Sequence, residues 1–150
     1  MPTTLTPTRP VLKAGTSWPD AWRRCLAVAP EAFRDDRVLN YWNGVWHADG
    51  RVLPATSPVD GSPIAGPPRL DAAAAHRAVR ASLDQHRAWR NVPLSERRSR
   101  ITATLDALAE HRDLLSLLLV WEIGKPWRLA TADVDRAIDG VRWYVDHVEE

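Results

Sequence analysis

Apolar residues along this chain follow two different rules. Between residues 38 and 64 they come in short bursts of β-branched and aromatic side chains, broken by Asn-Gly, Pro and Gly. From residue 72 onward they recur every three or four positions. The first pattern predicts strands and turns and the second predicts amphipathic helices. In Val38-Leu-Asn-Tyr-Trp-Asn-Gly-Val-Trp-His the Asn43-Gly44 pair tolerates the positive φ angles of a two-residue hairpin turn. A second hairpin-like unit follows, from Arg51 through Ser57-Pro-Val-Asp-Gly to Ser62-Pro-Ile-Ala. Its prolines at 54, 58 and 63 suit edge strands and turns. Gly66-Pro67-Pro68 is expected to close the strand region. Ahead of it, Ser17 is placed to N-cap a short helix with Trp22, Cys25 and Leu26 on one face.

The helical part predicts three main helices, over 71–87, 95–123 and 127–148. Asp71 is a good N-cap before the helix-forming Ala72 to Ala75. Pro93 breaks the chain and Ser95 opens the next helix, with Asp113 marking a further turn or a restart. Gly124 stands where a helix ends in left-handed geometry, and Pro126 suits the first turn of the last helix. That last helix carries Ala130, Val134, Ile138, Val141, Val145 and Val148 on one stripe. It runs into Glu149-Glu150 without a stop signal, as expected of a segment that continues in a longer protein. A few strands followed by helices make the fold class α+β. Residues 1–37 are expected to form a flexible lead-in with a short helix, and 38–150 the folded segment.

Composition narrows the functional classes. At 150 residues the chain is long enough for one domain, which buries about 70% of its unfolded surface. Twenty basic residues against 19 acidic ones leave a net charge of +1, which argues against a dedicated nucleic-acid binder. The single cysteine, Cys25, allows no internal disulfide and points to a reducing, cytoplasmic setting. The amino terminus has no apolar signal-peptide segment, and the cluster from Leu114 to Val120 is too short for a membrane span.

Chemistry-bearing residues are present without a catalytic arrangement. The histidines at 47, 76, 86, 111 and 147 lack the spacing of a zinc helix. Cys25 has Arg23 and Arg24 beside it, which would favour a thiolate, but a small packed side chain accounts for it as well. The basic run Glu96-Arg-Arg-Ser-Arg100 reads as a solvated helix face or a phosphate patch. Eight tryptophans invite a carbohydrate platform, which would need Trp42 and Trp46 exposed and coplanar. Neither glycine-rich nucleotide motif occurs, so no cofactor-binding residue is assigned.

The order of motifs nevertheless resembles the start of an aldehyde dehydrogenase. Asn43-Gly-Val-Trp and Ser57-Pro-Val-Asp-Gly are similar to the strands that open that family. Asp71 to Ala81, Trp89-Arg90 and Pro93-Leu-Ser-Glu-Arg97 are similar to its first two helices. Glu122-Ile-Gly-Lys-Pro126 fits its E-x-G-K-P element, and Asp133-Val-Asp-Arg-Ala-Ile-Asp-Gly-Val-Arg-Trp-Tyr144 the helix after it. The resemblance runs from Val38 to Glu150. It implies the amino-terminal part of a large α/β enzyme that oxidises aldehydes to acids with NAD or NADP. There, a cysteine attacks the carbonyl, an asparagine and a backbone N–H hold the oxyanion, and a glutamate activates water.

None of those catalytic residues is expected here, because the motifs that carry them follow the region matched. Cys25 precedes that region, and Glu122-Ile-Gly-Lys lacks the second glycine of the catalytic glutamate motif. The chain alone is therefore expected to be inactive and not to bind NAD or NADP tightly. The resemblance transfers one minor site: a monovalent cation held by the Glu122 carboxylate and the Ala55 backbone carbonyl. The expected partners are the remainder of the enzyme or further copies of the chain, with neither nucleic acid nor membrane. The competing expectation is a self-sufficient, non-catalytic helical interaction module derived from such an enzyme.

Overall fold

The computed structural model describes residues 12–35 and 37–149. The first part of the expected lead-in, 1–11, lies outside them, as does Glu150. Helix α1 (Trp18–Val28) is followed by a 3-10 turn (Pro30–Ala32) and eight short strands. These are β1 (Phe33–Arg34), β2 (Arg37–Val38), β3 (Asn40–Trp42), β4 (Val45–His47), β5 (Arg51–Val52), β6 (Ala55–Thr56), β7 (Pro63–Ile64) and β8 (Pro68–Arg69). Helices α2 (Ala72–Trp89), α3 (Leu94–Glu110), α4 (Arg112–Ile123) and α5 (Trp127–His147) complete the described chain, which is α+β.

Local chemistry sets most of the boundaries. Ser17 accepts the Asp20 N–H and donates its hydroxyl to the Asp20 carboxylate, a reciprocal cap on α1. Asn43 and Gly44 both take positive φ, 52° and 74°, and join β3 to β4 in a two-residue hairpin. The Asp71 Oδ1 accepts the Ala74 N–H at 2.7 Å and caps α2. Gly124, at φ 70°, terminates α4 in the left-handed region.

Three expectations need correction. The strand region begins at Phe33, with a β1–β2 hairpin ahead of Val38. It ends at Arg69, because Pro68 pairs with Val52 in β5–β8. A two-stranded ribbon consists of edges only, so the missing N–H of proline deprives no further strand of a partner. The helix expected over 95–123 starts at Leu94 and is broken at His111, whose φ of −103° and ψ of 15° are not helical.

Two apolar clusters hold the helices together. One joins α1 to α4 through Ala21, Leu114, Leu117 and Trp121. The other joins α3 to α5 through Leu105, Val134 and Ile138. Each large side chain so buried contributes about 1.5–3 kcal/mol. Within the two apolar stripes Leu114, Leu117, Trp121, Val134, Ile138 and Val145 are thus buried inside the chain, while Val141 and Val148 stay exposed. Ile123, Trp127, Leu129, Val141, Trp143 and Tyr144 keep 43–68% of their surface exposed.

Candidate functional site

The α4–α5 junction meets the β6–β7 turn, and the two residues expected to hold a cation, Glu122 and Ala55, lie on the segments that meet. Ser57 is buried, and its Oγ donates to the Trp121 carbonyl at 2.6 Å while accepting the Val59 N–H at 3.2 Å. Pro58 lies against Gly124, where an added Cβ would come within 3.1 Å of its ring. Glu122 directly follows Trp121, and Ala55 in β6 stands two residues before Ser57. The turn itself is closed by Ser57 N–H to Ser62 O at 2.8 Å and by Asp60 Oδ1 accepting the Ser62 N–H at 2.9 Å. Ser57 is the residue that motif reading missed. Its signal was a serine at the head of Ser-Pro-Val-Asp-Gly, a segment rich in turn-forming side chains.

Glu122 makes no ion pair among the described residues. Its surface is exposed, yet the protein packed on one side of it raises its carboxyl above the ordinary 4.5. A raised carboxyl pKa means the folded chain retains a proton that the unfolded chain has released. Glu122 therefore contributes its stability below the unfolded value, and that stability is lost as pH rises through the folded value. Lys125 pairs with Asp133 on α5. Beyond the junction, Arg112 grips Asp135 with two guanidinium nitrogens, which holds that carboxyl below its ordinary range.

Cys25 sits on α1 against the α1–α4 cluster, half-buried. Burial raises its thiol above the ordinary 9.0, and the Glu122 charge raises it further, against a smaller lowering by Arg24. The arginines beside it therefore do not make it a thiolate, and the packing role stands. Alkylation of Cys25 should follow a pH profile displaced above that of a free thiol. In Glu122→Gln the profile should move to lower pH, because the second cause of the shift is gone. Superimposable profiles for the two proteins would show that the carboxylate does not act on the thiol.

The other sequence candidates are used structurally. Trp42 and Trp46 lie on opposite faces of the β3–β4 ribbon, since Trp42 pairs with Val45 and Trp46 with Tyr41. Trp42 stacks on His47 at 3.5 Å, so no coplanar platform forms. Within the basic run, Arg100 pairs with Glu96 and lies over Trp89, and Arg98 donates to the Val148 carbonyl. No group of three or more His, Cys, Asp or Glu among the described residues is arranged to hold a metal. No described helix is long and apolar enough to cross a membrane.

Comparison with known proteins identifies relatives of the chain. The model of the aldehyde dehydrogenase family matches residues 46–150. The chain is 29% identical over 115 residues to glutarate-semialdehyde dehydrogenase of Pseudomonas putida, covering 75% of this chain and 24% of that protein. It is 31% identical over 113 residues to a probable aldehyde dehydrogenase of Mycobacterium tuberculosis, covering 73% of this chain and 22% of that one. The chain thus spans about a quarter of the length of these relatives. Among solved structures, proline utilization A from Bdellovibrio bacteriovorus, inactivated by N-propargylglycine, superposes with a TM-score of 0.71 at 25% identity. That match covers 97% of this chain and 17% of the other. Five helices and paired short strands superpose on that protein, and most of the sequence fits one family model: the chain belongs to the aldehyde dehydrogenase family.

Proposed function

We propose that this chain is the amino-terminal part of an NAD- or NADP-dependent aldehyde dehydrogenase that oxidises an aldehyde to a carboxylic acid. The supporting observation is the family match over 46–150, set against relatives about four times as long. On this reading the thiol, oxyanion donors, general base and cofactor-phosphate contacts belong to the rest of the protein. The chain contributes the β6–β7 turn, the α4–α5 junction and an outer helical layer. Its lone half-buried cysteine fits the reducing cytoplasm.

The chain by itself should give no NADH or NADPH absorbance with any aldehyde of a panel, and no calorimetric signal with either cofactor. Cys25 is a poor nucleophile, because burial and Glu122 both disfavour its thiolate. Turnover abolished by Cys25→Ala would overturn the assignment. The exposed apolar side chains Ile123, Trp127, Leu129, Val141, Trp143 and Tyr144 are assigned to contacts with the remainder of the enzyme or with another copy. The chain alone should then bind a hydrophobic dye or self-associate. A clean monomer without dye binding would support the self-sufficient helical module instead.

The same reading gives Glu122 and the Ala55 carbonyl to a monovalent cation. Two oxygen donors suit a hard ion, and Glu122 has no competing ion pair among the described residues. The alkylation profile of Cys25 reports on this directly. Sodium in place of choline should shift it to lower pH in the parent chain and leave it unmoved in Glu122→Gln. An equal response in both would remove the cation from Glu122.

A further inference from the structure

Half of the arginines on the helices have carboxylate partners among the described residues. Arg23 pairs with Asp20, Arg87 with Asp84, Arg112 with Asp135 and Arg142 with Asp106. Arg51, Arg69 and Arg77 have none within ion-pair reach among the described residues, although they share one place in the fold. Arg51 and Arg69 stand directly opposite each other in the β5–β8 ribbon. Like charges directly opposite on paired strands oppose the pairing. Arg77 comes from α2, and all three line a single open hollow of about 410 Å³.

Two carboxylates, Asp49 and Asp71, also line this hollow, so three arginines against two aspartates leave its lining with a net charge of +1. Asp71 has its Oδ1 committed to the Ala74 N–H. Asp49 is beyond ion-pair reach of all three guanidinium groups. The trio also differs from Arg98 and Arg100, which are occupied by a backbone carbonyl and by Glu96.

We propose that this hollow binds a small phosphate-class oxyanion, either free phosphate or pyrophosphate or the phosphate group of a metabolite. The guanidinium is a planar fork that meets tetrahedral oxyanions with paired N–H donors. Three such groups from two strands and a helix surround the hollow, and a multivalent anion relieves the repulsion across β5–β8. The site involves neither the β6–β7 turn nor the α4–α5 junction, and so stands apart from the family assignment.

The experiment is calorimetric titration of the chain with inorganic phosphate and with pyrophosphate, at ionic strength held constant with sodium chloride. Saturable single-site binding is expected. Each of Arg51→Ala, Arg69→Ala and Arg77→Ala should weaken it about tenfold or more, as loss of a charged hydrogen bond does. Arg51→Lys should fall in between, keeping charge without the fork. Arg80→Ala, an exposed arginine of α2 outside the hollow, should bind as the parent does. Circular dichroism establishes that each variant is folded, and Arg51→Ala should be no less stable than the parent without anion. Pyrophosphate binding with no response to phosphate would place a diphosphate group in the hollow; binding of both would place a single phosphate there. Heats of dilution alone, or equal loss in Arg80→Ala, would overturn the proposal and leave a basic surface suited to acidic side chains of another protein.

Discussion

Replacing Trp121 with alanine should lower the unfolding free energy of the chain by about 3–5 kcal/mol, the usual cost of emptying a buried indole. Trp121 is 2% exposed and touches the cluster of Ala21, Leu114 and Leu117, with Trp18, Cys25 and Val59 around it. Its Nε1 donates to the Thr16 carbonyl at 2.8 Å, so the substitution also leaves that acceptor without its partner. The loss takes much of the total stability of a domain, about 5–15 kcal/mol. Urea unfolding followed by circular dichroism should show a lower midpoint with an unchanged slope. Trp143→Ala is the matched control. That ring is 56% exposed and touches mainly Tyr144 and His147, so its loss should cost below about 1 kcal/mol. Equal costs for the two tryptophans would mean that α1 does not dock on α4.

What the chain reveals in its sequence is what local chemistry determines. The Ser17 and Asp71 caps, the Asn43-Gly44 turn and the Gly124 stop each depend on a few adjacent residues, and all four appear where expected. The break at His111 carries no glycine or proline, and Asp113 alone hinted at a further turn or a restart within 95–123. The chain bends there so that α3 and α4 can both reach α5. The pairing of β5 with β8 around the β6–β7 hairpin was equally hidden, because periodicity does not say which strands meet.

The site divides along the same line. The sequence resemblance placed Glu122 and Ala55, and the fold brings their segments together through Ser57 and Trp121. The action of Glu122 on Cys25 depends on α1 docking on α4, a tertiary event with no local signature. For that reason Arg23 and Arg24, the neighbours in sequence, suggested the wrong direction for the thiol. Arg51 and Arg69 are similar: separated in sequence, they become a charge problem only once register is known.

Gly66→Ala should be the most damaging single-methyl change in the chain, costing about 3 kcal/mol or more, at or beyond the upper end of ordinary overpacking. A Cβ built at Gly66 would lie 1.7 Å from the Leu53 carbonyl oxygen and 3.0 Å from its carbon. These are backbone atoms, so no rotamer change can make room. Leu53 follows β5 and Gly66 precedes β8, so separating them pulls apart the ribbon that encloses β6–β7. The same displacement loosens the turn that holds Ser57 against the Trp121 carbonyl. Gly140→Ala makes the opposite test with the same methyl. Gly140 lies within α5, and an added Cβ there meets nothing within 4 Å. Alanine loses less backbone entropy than glycine in a helix, so that variant should gain about 0.5–1 kcal/mol. Thermal and urea unfolding of the two variants should therefore move in opposite directions from the parent. A Gly66→Ala chain as stable as the parent would mean that β5 and β8 do not approach as closely as the structure places them. With the expected gain from Gly140→Ala beside it, that outcome would loosen the strand layer alone and leave the helix packing as described.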